Sequence, residues 1–370
     1  PYTLSLHDAL PIFAADQPAT SGFTGITLKA DSLNALGASR LMVGGMTAVV
    51  YGQSGNYIIL ANGSNRANSS IILREGTTLA APEVFLVSNI GAITLEQGAS
   101  IDTIGHGQAS YDAKDGYIYK VANMLGVSNG QLNVIAAPGA GGEVSAGISI
   151  GTCSDVLCSG QTGLYSEGSI VALTDARFEL GDQVRYGTRH LNLGVSAINL
   201  GSAEALAAAA AANQVPAGLT LTQALLDRLL RGDTQFGAPA LETLQLSARD
   251  SFNFYGSTSL DTYDPLTGKS LLSNLMIATP AIYGAGGTND VASIHTANLI
   301  WQGATDPAGA VVSGGAGTGS GRLDINAERI EFGYGAFAQP STTLTFDRLA
   351  LGFANRSEEH TSELQSHAAS

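Results

Sequence analysis

The stretch LQLSARDSFNFYG, residues 244–256, holds two short apolar segments that are separated by a corner and followed by a glycine. In each segment apolar residues flank a single spacer residue. The same pattern recurs as LMIATPAIYG at 275–284, IHTANLIWQG at 294–303, LDINAERIEFG at 323–333 and LTFDRLALG at 344–352. The stretches close on Gly256, Gly284, Gly303, Gly333 and Gly352, which alternate between a longer and a shorter spacing.

This repetition predicts a solenoid of short β-strands. Alternation with a period of two sends every second side chain to one face of a strand, and a single unit cannot bury that face alone. Stacked units bury it because every coil covers the next. We therefore predict an all-β fold, a right-handed parallel β-helix (β-solenoid), in which a bare coil has the shorter spacing of roughly 20 residues. Residues 304–321, rich in Gly, Ala and Ser, are predicted to form an added loop.

One region interrupts the strand pattern. Residues 202–213 combine a serine cap with a run of alanines, and residues 220–223 resemble a capping box. Gly232 is placed to end the second helix in a left-handed conformation. We therefore predict a short inserted helical hairpin, residues 202–232, which docks on the solenoid through a leucine stripe. The stripe consists of Leu221, Leu225, Leu226, Leu229 and Leu230.

The two ends of the chain resemble translated sequencing adapters, and an ordinary polar tail is the alternative. Residues 1–12 and 356–370 are therefore interpreted as non-native and excluded from the fold prediction. The remaining chain is predicted to contain a β-helix with loop elaborations at 13–201, the helical insertion at 202–232 and further β-helix coils at 233–355.

Composition excludes several classes of protein. The 370 residues carry a net charge of −14, which argues against a nucleic-acid partner because such a partner needs a basic surface. A hydrophobic content of 44% is sufficient for a packed core and argues against disorder. No apolar run approaches the roughly 18 residues of a membrane span, so none is predicted.

The two cysteines, Cys153 and Cys158, lie close together in a loop flanked by glycines. This spacing predicts a local disulfide in an oxidising compartment, and two free thiols are the alternative. No histidine lies near them in sequence, so the pair makes a poor zinc site.

Motifs for catalysis and cofactor binding are incomplete. Residues 268–270, Gly-Lys-Ser, end like a phosphate-binding loop, but Tyr263 occupies the position of its first glycine, which predicts a turn. Ser128 lies in a Gly-x-Ser-x-Gly motif at 126–130, which is the sequence of a nucleophile elbow, yet a strand rather than a helix is predicted after it. The histidines outside the adapter-like ends are isolated in sequence: His106, His190 and His295. We predict no catalytic residue, no metal site and no cofactor.

Carboxylates support an alternative interpretation. Acid clusters on one face of a β-helix serve acid–base chemistry or metal binding in polysaccharide-cleaving enzymes. Two groups are candidates, although acids on turns are also the default of an acidic surface. They are Asp102, Asp112 and Asp115 near His106, and Asp250, Asp261 and Asp264 near Phe252.

The tripeptide Arg231-Gly232-Asp233 is a candidate receptor-binding element, because such a tripeptide is recognised by integrins in extracellular proteins. A structural alternative, a role in ending the preceding helix, explains all three residues by itself. Arg231 suits the C-terminal end of a helix, and Gly232 suits the residue that ends it.

Three stretches carry a resemblance to a known family: the unit at 323–327, the run GDQVRYG at 181–187 and the run LLRGD at 229–233. They resemble filamentous haemagglutinin-like exoproteins, which are very large bacterial proteins exported by two-partner secretion. The resemblance covers most of residues 13–355. It implies a right-handed parallel β-helix, export through a dedicated outer-membrane pore, and a role in adhesion, biofilm formation or contact between cells.

The chain is therefore expected to be a non-catalytic, rod-like scaffold segment of a large secreted exoprotein at the bacterial cell surface. The resemblance implies two partners, the outer-membrane secretion pore and the surfaces of host or bacterial cells. Two alternatives stay open. One is a carbohydrate-active β-helix enzyme of the polysaccharide lyase or glycoside hydrolase type, and the other is a passenger segment of an autotransporter.

Overall fold

The computed structural model describes residues 2–4, 10–14, 26–49, 57–61, 70–109, 117–120, 122–132, 146–153, 158–303, 309–333, 343–345 and 348–353. The chain divides into two compact units. Unit 1 comprises Pro1–Ser196 and Gly232–Leu241, and unit 2 comprises Ala197–Arg231 and Glu242–Ser370.

Most of the described residues lie in strands. The strands up to residue 201 are β1 (Tyr2–Leu4), β2 (Leu10–Phe13), β3 (Leu28–Lys29), β4 (Leu41–Val43), β5 (Gly45–Val49), β6 (Tyr57–Ala61), β7 (Ile71–Leu73), β8 (Thr78–Ala80), β9 (Glu83–Ser88), β10 (Ile93–Glu96), β11 (Ser100–Asp102), β12 (Tyr117–Lys120), β13 (Asn123–Ser128), β14 (Ile148–Thr152), β15 (Thr162–Tyr165), β16 (Ser169–Thr174), β17 (Phe178–Leu180), β18 (Val184–Gly187) and β19 (His190–Gly201). The helices are α1 (Ala30–Asn34), α2 (Ala203–Ala211) and α3 (Gln223–Arg231), with a 3-10 turn at Gln235–Gly237. The strands after residue 201 are β20 (Leu219–Thr222), β21 (Thr243–Tyr255), β22 (Thr258–Asp261), β23 (Asn274–Ala278), β24 (Ala281–Ala285), β25 (Val291–Gln302), β26 (Arg322–Gly333), β27 (Thr343–Thr345) and β28 (Arg348–Phe353).

Between residues 71 and 201, each coil of unit 1 contributes three strands to the stack, and equivalent strands of successive coils pair side by side in rows. One row stacks the buried residues Ile71, Ile93, Ile148 and Phe178 at matching positions. A second row stacks the buried residues Leu79, Ile101, Leu164 and Tyr186. Both rows are parallel, which confirms the predicted β-helix. Alternate side chains point inward and fill the space between coils, as the period of two requires.

The third row of unit 1 departs from parallel pairing. Strand β13 runs antiparallel to both of its neighbours, β9 and β16. Leu125 of β13 pairs with Leu86 and Ala172, and all three side chains are buried. The sequence does not reveal this reversal, because alternate residues face inward whichever way a strand runs.

The coils of unit 2 also have three rows of strands. The first row stacks Leu244, Leu275, Leu299 and Ile330. The second row stacks Phe252, Ile282 and Leu344. The third row stacks Leu260, Ile294, Ile325 and Leu351. From Leu244 to Leu275, and again from there to Leu299, the chain passes through all three rows before it returns to the first.

The predicted coil length is wrong for unit 2, where a full coil is longer than the shorter glycine spacing. The stretches at 244–256 and 275–284 supply the first and second rows, whereas those at 294–303 and 323–333 supply the third row and then the first. An apolar-x-apolar segment looks the same in every row. The prediction therefore treated the strands that end near Gly284 and Gly303 as equivalent, although they lie in different rows and do not pair. Residues 309–321, the described part of the predicted loop, contain no strand.

The region predicted to be a helical hairpin contains the two helices, but strand β20 lies between them. Leu219–Thr222 pairs in parallel with residues 198–201 of β19, so the chain re-enters the β-helix before α3 begins. The hairpin prediction is wrong on this point, and Leu221 is a buried strand residue. Leu221 lies four residues before Leu225, which is a helical spacing, and two residues after Leu219, which is the spacing of an alternating strand. The sequence pattern therefore fits either structure at this position.

The ends of both helices follow the sequence closely. The Ser202 hydroxyl accepts a hydrogen bond from the Ala205 amide at 3.1 Å. The Thr222 hydroxyl does the same for Leu225 at 3.3 Å, so α3 is capped two residues later than predicted. Gly232 has φ +61°, the left-handed conformation predicted for the residue that ends α3. The remaining leucines of the stripe, Leu225, Leu226, Leu229 and Leu230, are buried.

Two described strands lie in or overlap the N-terminal segment that resembles an adapter. Strand β1 pairs in parallel with β4, and β2 pairs in parallel with β3 and β7. Ile12 is buried in this arrangement. The C-terminal adapter-like segment, residues 356–370, lies outside the described residues.

Candidate functional site

The Asp233 carboxylate of the candidate tripeptide is held by other residues of unit 1, to which Asp233 belongs. Its Oδ2 accepts a hydrogen bond from the Tyr165 hydroxyl at 3.0 Å, and its Oδ1 accepts one from the Gln235 amide at 2.9 Å. The Arg185 guanidinium lies 3.7 Å from Oδ2, and the Asp233 side chain is only 13% exposed. The tripeptide therefore presents an engaged carboxylate rather than a free one, while receptor binding stays a prediction.

The aromatic ring beside this carboxylate is unusually exposed. Phe236 has φ +58°, a backbone conformation that residues other than glycine rarely adopt, and the residue is 69% exposed. Its ring packs edge-on against Tyr165, with ring centroids 5.2 Å apart. Burial, with the hydrogen bond to Asp233, raises the pKa of Tyr165, so its hydroxyl stays protonated and continues to donate.

We expect Asp233→Ala to lower the free energy of unfolding by about 1–3 kcal/mol, because the Tyr165 hydroxyl loses its acceptor in a largely buried position. Asp233→Asn, which keeps an acceptor oxygen, is expected to lose less. Chemical denaturation measures both values, and absorbance titration of tyrosinate is expected to show a lower pKa for Tyr165 in the Ala variant. Identical stability for the wild type and the Ala variant would contradict this role.

The acids predicted as an alternative catalytic set have separate local partners. Asp102 accepts a hydrogen bond from the Ile104 amide, and Asp264 accepts one from the Leu266 amide. Asp250 forms an ion pair with its neighbour Arg249. His106 is exposed in a turn, and Asp112 and Asp115 lie outside the described residues. The described acids of this set are thus used in turns and local pairs, apart from Asp261.

Asp261 belongs to a polar cluster on unit 2, which we name the Tyr263 patch: Asp261, Tyr263, His295, Asn326 and Glu328. Asp261 Oδ1 lies 3.1 Å from His295 Nδ1 and accepts a hydrogen bond from the Tyr263 amide at 2.9 Å. The Tyr263 and His295 rings are stacked, with centroids 4.1 Å apart and planes 9° from parallel. The Tyr263 hydroxyl donates to Glu328 Oε1 at 3.1 Å. Burial, with the bond to Glu328, raises the pKa of Tyr263.

Stacking of coils brings the patch together. Asp261 of β22 pairs with His295 of β25, which pairs with Asn326 of β26, so the three residues form a column across three rungs. Their neighbours Leu260, Ile294 and Ile325 point into the core. Because residues alternate along each strand, the column faces outward.

A hairpin at residues 262–272 carries Tyr263 and is closed by several hydrogen bonds. Tyr263 and Ser270 form an antiparallel bridge, and the Gly268 amide donates to the Asp264 carbonyl at 2.8 Å. Gly268 therefore closes the turn that was predicted for the Gly-Lys-Ser sequence, and Ser270 lies on the returning arm of the hairpin. At the tip of this hairpin Leu266 is 93% exposed.

Ser128 is part of a buried polar group in unit 1. Its hydroxyl donates to Glu83 Oε2 at 2.7 Å, and Glu83 forms an ion pair with Arg40. All three side chains are buried, and Ser128 ends strand β13 with no helix in residues 129–132. The arrangement supports a structural role for Ser128. Burial raises the pKa of Glu83, while Arg40 and Ser128 act in the opposite direction.

The sulfur atoms of Cys153 and Cys158 are bonded to each other, with their Cα atoms 6.0 Å apart. The loop is also tied to a neighbouring turn, because the Ser159 amide and hydroxyl both donate to Glu75 Oε1, at 2.8 and 3.0 Å.

We expect Cys153→Ser with Cys158→Ser to cost no more than about 2 kcal/mol, because the closed loop is short and constrains the unfolded chain little. Denaturation of the reduced and oxidised protein measures the difference. Maleimide labelling is expected to modify the wild type only after reduction. A cost well above this value would mean that the bond supports more than its own loop.

Within the described part of the chain, no three His, Cys, Asp or Glu side chains are grouped so that they could hold a metal ion. Among the same residues, no helix combines the length and apolar character needed to cross a membrane. Comparison of the chain with protein-family models, with curated proteins and with solved structures finds no match.

Proposed function

We propose that the chain is a non-catalytic segment of a large secreted bacterial exoprotein, and that its coils form a scaffold for adhesion or contact between cells. The observation that carries this proposal is the row-by-row stacking of strands in each unit around an interior of mainly apolar side chains. Such a stack holds its turns in fixed positions at the surface, where a partner can bind them.

The placement of the acids also supports a non-catalytic role. A glycosidase needs two carboxyl groups on either side of the bond that is cleaved. Asp102, Asp250 and Asp264 are instead bonded to groups within two residues of themselves. Asp261 contacts a histidine and a backbone amide.

Export through a two-partner-secretion pore and display at a bacterial surface belong to the same proposal. Their support is the resemblance of residues 181–187, 229–233 and 323–327 to the haemagglutinin-like exoproteins. The bond between Cys153 and Cys158 adds to it, because such bonds persist in oxidising compartments outside the cytosol.

Adherence and hydrolysis, measured together, test this proposal. Surfaces coated with the full chain are expected to retain bacterial or epithelial cells above an albumin coating, and a coat of the unfolded chain is expected not to. The same protein is expected to release no reducing ends or unsaturated uronates from soluble polysaccharides. Adherence equal to albumin would overturn the scaffold proposal, and sustained depolymerisation would favour the enzyme.

A further inference from the structure

The Tyr263 patch has the spacing of a surface that binds an extended chain. Asp261, His295 and Asn326 follow one another across three rungs of unit 2, and adjacent rungs are about 4.8 Å apart. Two residues earlier on the same three strands, Ser259, Ser293 and Asp324 form a second column beside the first. The Ser293 hydroxyl donates to the Ser259 hydroxyl at 2.9 Å. Hydrogen-bonding side chains thus repeat at intervals close to the length of one sugar ring in an extended glycan.

An aromatic side chain in a fixed orientation stands beside this column. The Tyr263 ring is held at its backbone by Asp261, at its hydroxyl by Glu328 and on one face by His295. A ring held in this way loses little conformational freedom when a ligand binds. Aromatic side chains with a few placed polar groups are the usual lining of small-ligand sites, because the ring packs on apolar C–H groups while the polar groups orient the ligand.

Several polar groups of the patch are accessible. The side chains of His295 and Asp261 are 43% and 48% exposed, and Asn326 and Glu328 are exposed. Asn326 makes no side-chain hydrogen bond to any described residue. Carboxylate oxygens accept hydrogen bonds from hydroxyl groups, and an amide both donates and accepts, which matches the paired donor and acceptor character of sugar hydroxyls.

The charge of the patch selects against acidic ligands. Asp261 and Glu328 contribute two carboxylates, and a third, Asp324, lies in the parallel column. Among the nearby basic side chains, Arg322 pairs with Asp324 at 2.7 Å and Arg329 with Glu331 at 2.9 Å. Lys269, on the opposite arm of the hairpin from Tyr263, is exposed and is a single positive charge against the carboxylates of Asp261 and Glu328. Uronate or sulfate groups placed here would meet like charges, which are unfavourable.

We propose that the Tyr263 patch binds a neutral oligosaccharide, which lies across the rungs with one ring against Tyr263 and its hydroxyls on Asp261, Asn326 and Glu328. The proposal rests on the proposed adhesive function and deepens it by naming the class of ligand.

Calorimetric titration of the full chain tests the proposal. Cellohexaose and mannohexaose serve as neutral probes, a hexamer of galacturonic acid as the acidic probe and a tetra-arginine peptide as the cationic probe. We expect at least one neutral probe to bind, and we expect Tyr263→Ala to lower the affinity for that probe by about tenfold or more. Asn326→Ala, which removes an exposed side chain without a described partner, is expected to weaken it severalfold. Leu266→Ala, at the tip of the same hairpin, is the matched control and is expected to bind like the wild type.

Three results would overturn the proposal: no binding of any neutral probe, equal binding of the galacturonate, or neutral binding that survives both Tyr263→Ala and Asn326→Ala. Binding of the arginine peptide alone would also overturn it and would assign the carboxylates to a cationic partner. Because adherence of cells is measured separately, a chain that retains cells without binding these sugars would sink this proposal and leave the scaffold function standing.

Discussion

Arg40→Ala should lower the free energy of unfolding by about 3–5 kcal/mol at neutral pH, because it removes the counter-charge of a buried carboxylate. Glu83 is fully buried, and its described partners are Arg40 and Ser128. The Arg40 guanidinium also lies over the Phe85 ring, 5.7 Å from its centroid, so the variant loses a packing contact as well. Denaturant unfolding followed by circular dichroism measures the loss.

Two further variants separate the buried charge from a general effect of losing arginine. Arg177 pairs with Glu179 in the same unit, but its side chain is largely exposed, so Arg177→Ala is expected to cost no more than about 1 kcal/mol. The double variant Arg40→Met with Glu83→Leu is expected to recover most of the stability lost by Arg40→Ala, since it leaves no unpaired charge. Equal losses for Arg40→Ala and Arg177→Ala would contradict the argument.

The pH dependence of this loss has a defined sign. Burial raises the pKa of Glu83 in the folded state, so the folded protein binds a proton more readily than the unfolded chain between the ordinary and the raised pKa. Stability from this group therefore falls as pH rises through that window. Protonated Glu83 needs no counter-charge, so the cost of Arg40→Ala should shrink towards acidic pH. Glu83→Gln should remove this part of the pH dependence.

The fold class was accessible from the sequence because it depends on a local property. The apolar-x-apolar triplets at 244–246, 252–254 and 323–325 indicate which side chains point inward, and the structure shows the apolar residues of all three triplets buried. The row to which each strand belongs cannot be read from the local sequence, because Leu260 of the third row and Leu275 of the first row lie in similar sequence patterns. Assigning rows requires knowing which strands pair, and loops of unequal length hide that information.

The same distinction applies to the side-chain clusters. The cap at Ser202, the left-handed Gly232 and the short cysteine spacing all involve residues within a few positions of one another, and the sequence indicated each. Glu83 and Arg40 are 43 residues apart, and the Ser293 hydroxyl bonds to Ser259 across 34. Only the stacking of coils makes such residues neighbours. A charged residue at the start of an apolar strand, Glu83 before 84–87, was the one available signal of the buried pair.

Phe252→Ala should cost about 3–5 kcal/mol, comparable to the loss of the buried counter-charge but by a different mechanism. The Phe252 side chain is fully buried in the second row of unit 2, where it pairs with Ile282 of the next coil and lies 5.3 Å from the Phe254 ring. Removing the ring leaves a cavity between coils, and neighbouring side chains that are fixed in strands relax into it only in part.

The position of this cavity makes the prediction specific. Each coil of a solenoid is stabilised mainly by its neighbours, so the loss should concentrate in the strands that pair at Phe252. Hydrogen exchange is expected to show faster exchange in β21 and β24, the two strands joined there. Leu266→Ala, which removes a side chain that is 93% exposed, should change neither exchange nor stability measurably. If Phe252→Ala unfolded like Leu266→Ala, residue 252 would not lie in a shared interior, and the stacked register of unit 2 would be wrong.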